Sequence, residues 1–235
     1  MRVASRTDKG KVRASNQDAL LLQPGEFGLY GVADGMGGHN GGDVASRMAV
    51  LLLGRVLEGA RPDESLLRGG MEEVNQMIFE EQQKDAPLRG MGTTMTVLWE
   101  DTARILIGHV GDSRAYRMHR GRLEQITQDH SMVGELVRSG LLTPEEAQRH
   151  PYRNVITRAL GTGAEIETDI LTLEKQPGDK YLLCSDGLTE YVRREEMQEI
   201  LQRTPNEEAA DRLLEMALAA GGRDNISLVI AEVTA

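Results

Sequence analysis

Apolar side chains recur at two spacings along the chain, and the spacing separates predicted strands from predicted helices. Short apolar runs of roughly four to eight residues predict strands. Apolar residues three or four positions apart predict helices, as at Val44, Met48, Leu51 and Leu52. The predicted strands are 18–23, 27–33, 94–100, 104–110, 115–118, 123–126, 180–184 and 226–233, and the predicted helices are 43–58, 63–83, 194–202 and 206–219.

The order of these elements predicts the fold class. Strands come in neighbouring pairs that suit hairpins, and long helices come in consecutive runs, which favours an α+β fold with antiparallel sheets over a repeated βαβ unit. No internal repeat or low-complexity linker divides the sequence, so we predict a single domain over residues 1–235. Residues 131–150 are polar and broken at Ser139-Gly140 and Thr143-Pro144, which predicts a flap outside the core.

Composition narrows the classes of function. The net charge of −10, from 37 acidic and 27 basic residues, argues against nonspecific binding to nucleic acid or anionic membranes. Cys184 is the sole cysteine, so an internal disulfide is impossible and a reducing cytoplasm is the expected setting. Residues 1–11 are too charged for a signal peptide, and no apolar stretch reaches the length of a membrane span. A longer parent protein with a tail beyond Ala235 is compatible with these features.

Aspartates stand at the ends of several predicted strands. Asp34, Asp112 and Asp186 each follow an apolar run and adjoin a glycine. Asp18 opens the first predicted strand, and Asp224 stands shortly before the last one. An isolated Asp-Gly pair is ordinary turn chemistry. All of these aspartates together, each at a strand terminus, fit one shared rim better than scattered turns.

Gathered carboxylates need cations. Like charges a few ångströms apart raise one another's pKa, so such a cluster stays ionised only beside compensating positive charge. Because the sequence offers no cysteine partner and no paired-histidine spacing, the ligands would be oxygens, which select magnesium, manganese or calcium. Two such ions bridged by one carboxylate would activate a water for in-line displacement at phosphorus. Arg13, five residues before Asp18, carries a planar guanidinium that matches two phosphate oxygens.

At these residues the sequence resembles the PP2C (PPM) family of metal-dependent serine/threonine protein phosphatases, in its bacterial branch. The resemblance implies a central antiparallel β-sandwich flanked by pairs of antiparallel helices, in α-β-β-α layers, which agrees with the predicted elements. The matching motifs occur in the family's order and span nearly the whole chain. They are Arg13-x-x-Asn-Gln-Asp18, Asp34-Gly-Met-Gly-Gly-His39, Gly92-Thr93-Thr94, Gly111-Asp-Ser-Arg114, Asp129-His-Ser131, Arg158-Ala-Leu-Gly161, Ser185-Asp-Gly-Leu188 and Gly222-Arg-Asp-Asn225.

The resemblance also implies a set of metal ligands. Asp34 would bridge two divalent ions, and the Gly35 carbonyl would bind the second. Asp186 and Asp224 would bind the first ion, and Asp18 would hold metal-bound water. The implied cofactors are two Mn²⁺ or Mg²⁺ ions, together with a weaker third ion.

Further roles follow from the same resemblance. Asp112 would hold the third ion together with Asp186, and Arg13 would bind the substrate phosphate. Residues 131–150 resemble the flap beside the active site, which would touch the protein substrate. His39 lies near the position of a histidine proposed as general acid in eukaryotic members. Metal-bound water is the alternative proton donor, and we favour it.

The sequence therefore predicts a phosphatase that hydrolyses phosphoserine and phosphothreonine by direct attack of a metal-bridging hydroxide. The expected partners are phosphorylated proteins and a cognate serine/threonine kinase, without nucleic acid or membrane, and the expected state is a cytoplasmic monomer. Two alternatives stay open: a catalytically silent binding module on the same fold, and another two-metal phosphoester hydrolase such as a nuclease. The intact aspartate set argues against the first, and the acidic surface with few aromatic residues argues against the second.

Overall fold

A computed structural model describes residues 1–143, 146–147 and 149–234, and the side chains of residues 38–40 lie outside this description. In the described part of the chain the strands are β1 (Arg2–Asp8), β2 (Asp18–Gln23), β3 (Leu29–Met36), β4 (Gly92–Thr93), β5 (Met95–Glu100), β6 (Arg104–Val110), β7 (Arg114–His119), β8 (Arg122–Gln125), β9 (Asp169–Glu174), β10 (Lys180–Cys184) and β11 (Ile226–Glu232). The helices are α1 (Gly38–Val56), α2 (Glu64–Lys84), α3 (Met132–Arg138), α4 (Asp186–Thr189), α5 (Arg194–Arg203) and α6 (Asn206–Ala219), with a 3₁₀ turn at Ala86–Leu88.

Two antiparallel sheets are built from these strands. One sheet, here called the first sheet, has the order β1-β11-β10-β7-β8. The second sheet has the order β2-β3-β5-β6-β9, with β4 paired to the end of β3. Hairpins join β5 to β6 and β7 to β8, as the sequence predicts. The turn of the second hairpin has positive φ at Arg120 and Gly121, which suits a tight two-residue connection.

Apolar side chains on both faces of each sheet create a layered core. Successive strand residues point to opposite faces, so Tyr30 and Val32 meet Tyr181 and Leu183 of the other sheet between the two sheets. On the outer face of the second sheet, Ala33 and its neighbours pack against α1 and α2. On the outer face of the first sheet, α5 and α6 cover the strands in the same way. The predicted α+β sandwich with α-β-β-α layers is therefore confirmed.

Two boundaries differ from the sequence prediction near the glycine-rich segment. The strand predicted to end at residue 33 continues to Met36, because Gly35 and Met36 pair with Thr93 and Gly92. The helix predicted from residue 43 begins at Gly38, after Gly37 at φ 116°. Asp34 therefore lies inside a strand rather than at its end, which corrects the predicted position. The strands β1, β4 and β9 were also absent from the sequence prediction.

The predicted flap is described only in part. Ser131 caps α3 by accepting a hydrogen bond from the Gly134 amide, and it also bridges to Ile156. Residues 144, 145 and 148 of the predicted range 131–150 lie outside the described residues. The flap therefore stays a prediction over that range.

Within the described ranges, no helix combines the length and the apolar character needed to cross a bilayer. The long helices α1 and α2 instead bury an apolar face on the second sheet.

Candidate metal centre

Two of the predicted site aspartates face each other across the β2–β3 pair. Asp18 and Asp34 are directly opposite in the antiparallel register. Backbone bonds fix Asp34 in place, because its amide donates to Thr94 Oγ1 at 2.9 Å and its carbonyl accepts from the Thr94 amide at 2.9 Å. The Thr93 hydroxyl donates to the same carbonyl at 2.9 Å. The conformation of Asp34 is therefore fixed by a buried pair of threonines.

Glycines allow the backbone segments around these aspartates to approach closely. A Cβ added to Gly35 would overlap the Gly42 carbonyl, and one added to Gly187 would overlap the Asn225 carbonyl. The Gly35 amide donates to the Gln17 carbonyl at 3.1 Å. Any side chain at Gly35 or Gly187 would push these segments apart, so both glycines are required by packing.

Asp186 and Asp112 lie near the same aspartates. Asp186 comes from the first sheet, and Asp112 lies in the connection from β6 of the second sheet to β7 of the first. Asp186 begins α4 after Ser185, the residue that follows β10, and Asp112 lies just beyond the end of β6. Burial, followed by the charges of Asp112 and Asp224, raises the pKa of Asp186 well above its usual value. Burial and the charge of Asp129 raise the pKa of Asp112 to about 6.

The pKa of Asp34 shows how closely the carboxylates gather. Asp34 is partly exposed to solvent. The protein around its carboxylate still removes most of its hydration, and this burial is the largest cause that raises the pKa of Asp34 well above the ordinary value. The charges of Asp18, Asp186, Asp112 and Asp224 raise it further, in that order. The structure thus brings the five predicted aspartates into one electrostatic neighbourhood at one end of the sandwich.

Arg13 lies at the rim of this neighbourhood. Its Nη2 donates to Asp224 Oδ2 at 2.6 Å, and about half of its side chain is exposed. Asp224, Asp34 and Asp186 all stabilise the guanidinium charge, and the hydrogen bond to Asp224 is the largest contribution that raises the pKa of Arg13. The predicted phosphate-binding residue is therefore next to the predicted metal ligands.

Asn225 holds the Arg13 segment against the site, a role that the sequence prediction missed. Its side-chain amide donates to the carbonyls of Lys9 and Ser15, each at 2.9 Å. Its side-chain oxygen accepts from the Gln17 amide at 2.8 Å. Asn225 belongs to the motif Gly222-Arg-Asp-Asn225, and its position directly after Asp224 was the only feature of the sequence that indicated this role.

Several carboxylate oxygens of the aspartate cluster lack a hydrogen-bond donor, as oxygens that bind a cation would. Asp18 Oδ1, Asp112 Oδ1 and Asp186 Oδ1 are buried and have no hydrogen-bond partner among the described residues. Buried carboxylate oxygens without donors are costly unless a positive charge compensates them. The all-oxygen donor set, and the unpaired oxygens in it, fit hard divalent cations such as Mn²⁺ or Mg²⁺.

The carboxylates are nevertheless not at ligand spacing. Within the described ranges, no three carboxylate, imidazole or thiol groups stand close enough together to enclose one ion. Like charges keep such groups apart unless a cation draws them together. His39, the other predicted candidate, has a side chain outside the described residues. Cys184 is fully buried, and burial raises the pKa of its thiol to about 12, so it is a poor nucleophile.

A model of the family described as protein phosphatase 2C matches residues 7–220. The chain belongs to the protein phosphatase 2C family. The resemblance predicted from the motifs is therefore confirmed, and the two antiparallel sheets with flanking helices are the protein phosphatase 2C fold.

Bacterial relatives in this family are similar over almost the entire chain. Serine/threonine protein phosphatase PstP of Mycobacterium tuberculosis is 42% identical over 236 residues, which cover 99% of this chain and 45% of the relative. Serine/threonine phosphatase Stp of Listeria monocytogenes is 40% identical, covering 99% of this chain and 96% of the relative. The chain therefore spans less than half of the mycobacterial relative and nearly all of the Listeria one.

Solved structures of protein phosphatase 2C members agree with the fold in detail. The crystal structure of M. tuberculosis PstP/Ppp superimposes with a TM-score of 0.92 at 40% identity, covering 100% of this chain and 99% of that one. The PstP catalytic domain in complex with two manganese ions superimposes with a TM-score of 0.89 at 40% identity, covering 100% and 98%.

Proposed function

We propose that this chain is a metal-dependent phosphatase that hydrolyses phosphoserine and phosphothreonine in proteins. The observation that carries the proposal is the cluster of five aspartates, in which three buried oxygens have no hydrogen-bond partner among the described residues, next to a half-exposed arginine. Relatives named serine/threonine phosphatases, and the mycobacterial catalytic domain with two manganese ions, support it.

The metal ligands are assigned within the cluster. Asp34 lies among the other four aspartates and would be the bridging ligand, and the Gly35 carbonyl, which would bind the second ion, follows it on the same strand. Asp186 and Asp224 would hold the first ion, and Asp18 would hold metal-bound water. Two divalent ions at such a site lower the pKa of water and so supply the nucleophile for direct attack at phosphorus.

Asp112 is assigned to a weaker third ion. Its unpaired oxygen is buried, and its charge is the first one that raises the pKa of Asp186 after burial. A third cation between Asp112 and Asp186 would relieve the repulsion between them.

Arg13 orients the substrate phosphate. Its Nη2 donates to Asp224, which holds the guanidinium beside the cluster and leaves its other donors for phosphate oxygens. Because about half of the side chain is exposed, a phosphorylated side chain can reach it from solvent. Water is assigned as the proton donor for the leaving group, and His39 is the alternative donor.

The partners follow from this activity. Phosphorylated proteins are the substrates, and a serine/threonine kinase that produces them is the expected counterpart. We assign the chain to the cytoplasm as a monomeric catalytic domain, with residues 131–150 as the flap that contacts the protein substrate.

The test is turnover of three substrates by the purified chain after metal removal. We expect phosphate release from a phosphothreonine peptide and from p-nitrophenyl phosphate only when Mn²⁺ or Mg²⁺ is restored, and no cleavage of an oligonucleotide. Replacement of Arg13 with alanine should raise the KM for the phosphopeptide more than it lowers kcat, because a ground-state phosphate contact is lost. Turnover without a divalent metal, or oligonucleotide cleavage, would refute the assignment.

A further inference from the structure

Hydroxyl groups from the first sheet hold Asp18, although Asp18 belongs to the second sheet. The Ser185 hydroxyl, directly after β10, donates to Asp18 Oδ2 at 2.8 Å. Burial is the largest influence on the pKa of Asp18 and raises it, whereas hydrogen bonding by Ser227 on β11, and then by Ser185, lowers it. Both serines are fully buried, so solvent cannot replace either bond. The other oxygen, Oδ1, has no hydrogen-bond partner among the described residues and is the one left for a metal-bound water.

The direction of each hydrogen bond in this group can be worked out from obligatory donors. The Asp18 amide donates to Asn16 Oδ1 at 3.1 Å, which fixes the orientation of the Asn16 side-chain amide. Asn16 Nδ2 therefore donates to Thr7 Oγ1 at 2.8 Å. The Thr7 hydroxyl can then donate to Ser227 Oγ, which lies 2.8 Å away and is its register partner on the neighbouring strand. In that arrangement the Ser227 hydroxyl hydrogen is free to point to Asp18.

The hydrogen of Ser185 is directed to Asp18 in the same way. The Ser227 amide donates to Ser185 Oγ at 3.0 Å, so this oxygen already accepts one bond. The Ser185 amide donates in turn to the Ser227 carbonyl at 3.0 Å, and this bond keeps the two residues in register. The Ser185 hydroxyl therefore reaches Asp18 as a donor, with its direction set by a backbone amide that can only donate.

We propose that Ser185 and Ser227 are positioning residues that turn Asp18 Oδ1 toward the metal centre, with Thr7 and Asn16 as the outer part of the same hydroxyl relay. The inference rests on the proposed function, because it assigns these residues a role in metal binding. The relay spans both sheets, so it also links the position of Asp18 to that of Ser185, the residue before Asp186. Groups that hold a metal ligand from behind typically contribute about 10–100-fold to metal affinity or activity.

The experiment measures Mn²⁺ binding by isothermal titration calorimetry to the metal-stripped chain and its variants. For Ser185→Ala and Ser227→Ala we expect the Mn²⁺ dissociation constant to rise about 10–100-fold. Ser227→Thr keeps the hydroxyl and suits a strand, so it should bind Mn²⁺ close to the unsubstituted chain. Thr7→Val should have a smaller effect, because Thr7 is exposed and water can take over part of its role.

The matched control is Ser46→Ala, which removes another fully buried serine hydroxyl, one bonded to the Asp43 carbonyl within α1. It should lower stability comparably and leave Mn²⁺ affinity unchanged. At saturating Mn²⁺, the relay variants should regain kcat with an unchanged KM for the phosphopeptide, which a general folding defect would not produce. Folding is checked by circular dichroism. If Ser185→Ala does not fold, the Mn²⁺ affinities of the two single variants Ser227→Ala and Thr7→Val are compared with that of the unsubstituted chain instead.

Two different failures are distinguishable. If the unsubstituted chain binds Mn²⁺ and dephosphorylates the peptide, while folded Ser185→Ala and Ser227→Ala match it in Mn²⁺ affinity, the relay is refuted and the proposed function stands. If the unsubstituted chain itself neither binds Mn²⁺ nor turns over, the proposed function fails, and the relay fails with it.

Discussion

Asp186 illustrates the conflict between stability and function at the scale of a single residue. Burial and the neighbouring carboxylates of Asp112 and Asp224 raise the pKa of Asp186, so its negative charge is unfavourable in the metal-free fold. The same charge is favourable once a divalent cation is bound. Asp186 should therefore destabilise the free protein and stabilise the metal-bound one.

Asp186→Asn tests this conflict directly. The substitution should raise the melting temperature of the metal-free chain at pH 7.5, since like-charge repulsion is relieved, while Mn²⁺ affinity and turnover fall by more than about tenfold. Calorimetry, differential scanning fluorimetry and phosphopeptide turnover measure the three quantities. A suitable control is Glu195→Gln on α5, an exposed carboxylate away from the cluster. Loss of melting temperature in metal-free Asp186→Asn would contradict the assigned repulsion.

At the scale of elements, the spacing of apolar residues predicted most helices and strands. The prediction failed where pairing with a distant strand determines whether a strand forms or where it ends. The strand β1 was missed because its residues are mostly polar or charged, and it is held by pairing with β11 rather than by an apolar pattern. The strand β3 was ended too early because Asp34-Gly35 resembles a turn, whereas pairing with β4 extends it to Met36. Such pairing is a long-range property that local patterns do not carry.

The start of α2 was predicted correctly, and the local reason can be tested. Asp63 accepts hydrogen bonds from the amides of Ser65 and Leu66, as an N-cap residue does. Asp63→Ala should lower the melting temperature by roughly 1–4 °C near pH 7 without changing turnover. The hydrogen bonds from Ser65 and then Leu66 lower the pKa of Asp63, so its stabilisation is present at neutral pH and is lost as the pH falls through the folded pKa.

The difference between Asp63→Ala and the unsubstituted chain should therefore shrink as the pH is lowered below about 4. Asp85→Ala, at the other end of the same helix, serves as control because it removes an exposed carboxylate from the C-cap position. Equal melting temperatures for Asp63→Ala and Asp85→Ala at pH 7 would show that the cap contributes nothing.

At the scale of the whole molecule, the candidate metal centre joins the two sheets. Asp18 and Asp34 come from the second sheet, Asp186 and Asp224 adjoin strands of the first, and Asp112 lies in the link between them. The sequence predicted that these aspartates converge, because each stands close to an apolar run. It did not predict the supporting groups, since Thr94, Ser185 and Asn225 reveal their roles only through contacts between distant segments.

A cation at a site between the sheets should stabilise the whole domain, and the gain should depend on pH. The folded pKa values of Asp18 and Asp112 are raised to about 6, mainly by burial, above an unfolded value near 4. The folded, metal-free chain therefore binds more protons than the unfolded chain between about pH 4 and 6, so these groups cause its stability to fall as the pH rises through that window and to stay reduced above it.

Manganese should reverse that loss, because it compensates the same charges and competes with the same protons. With Mn²⁺ at about 100 times its dissociation constant, the melting temperature should rise by roughly 5–10 °C at pH 7.5, and by much less at pH 5.5. Scanning fluorimetry at both pH values, with and without Mn²⁺ at matched ionic strength, measures the four melting temperatures. Burial lowers the pKa of His109 to about 4, so His109 reduces stability at pH 5.5 relative to pH 7.5, but it does so equally with and without Mn²⁺ and does not alter the increase. An increase of equal size at both pH values would mean that Mn²⁺ binds somewhere other than the aspartates between the sheets.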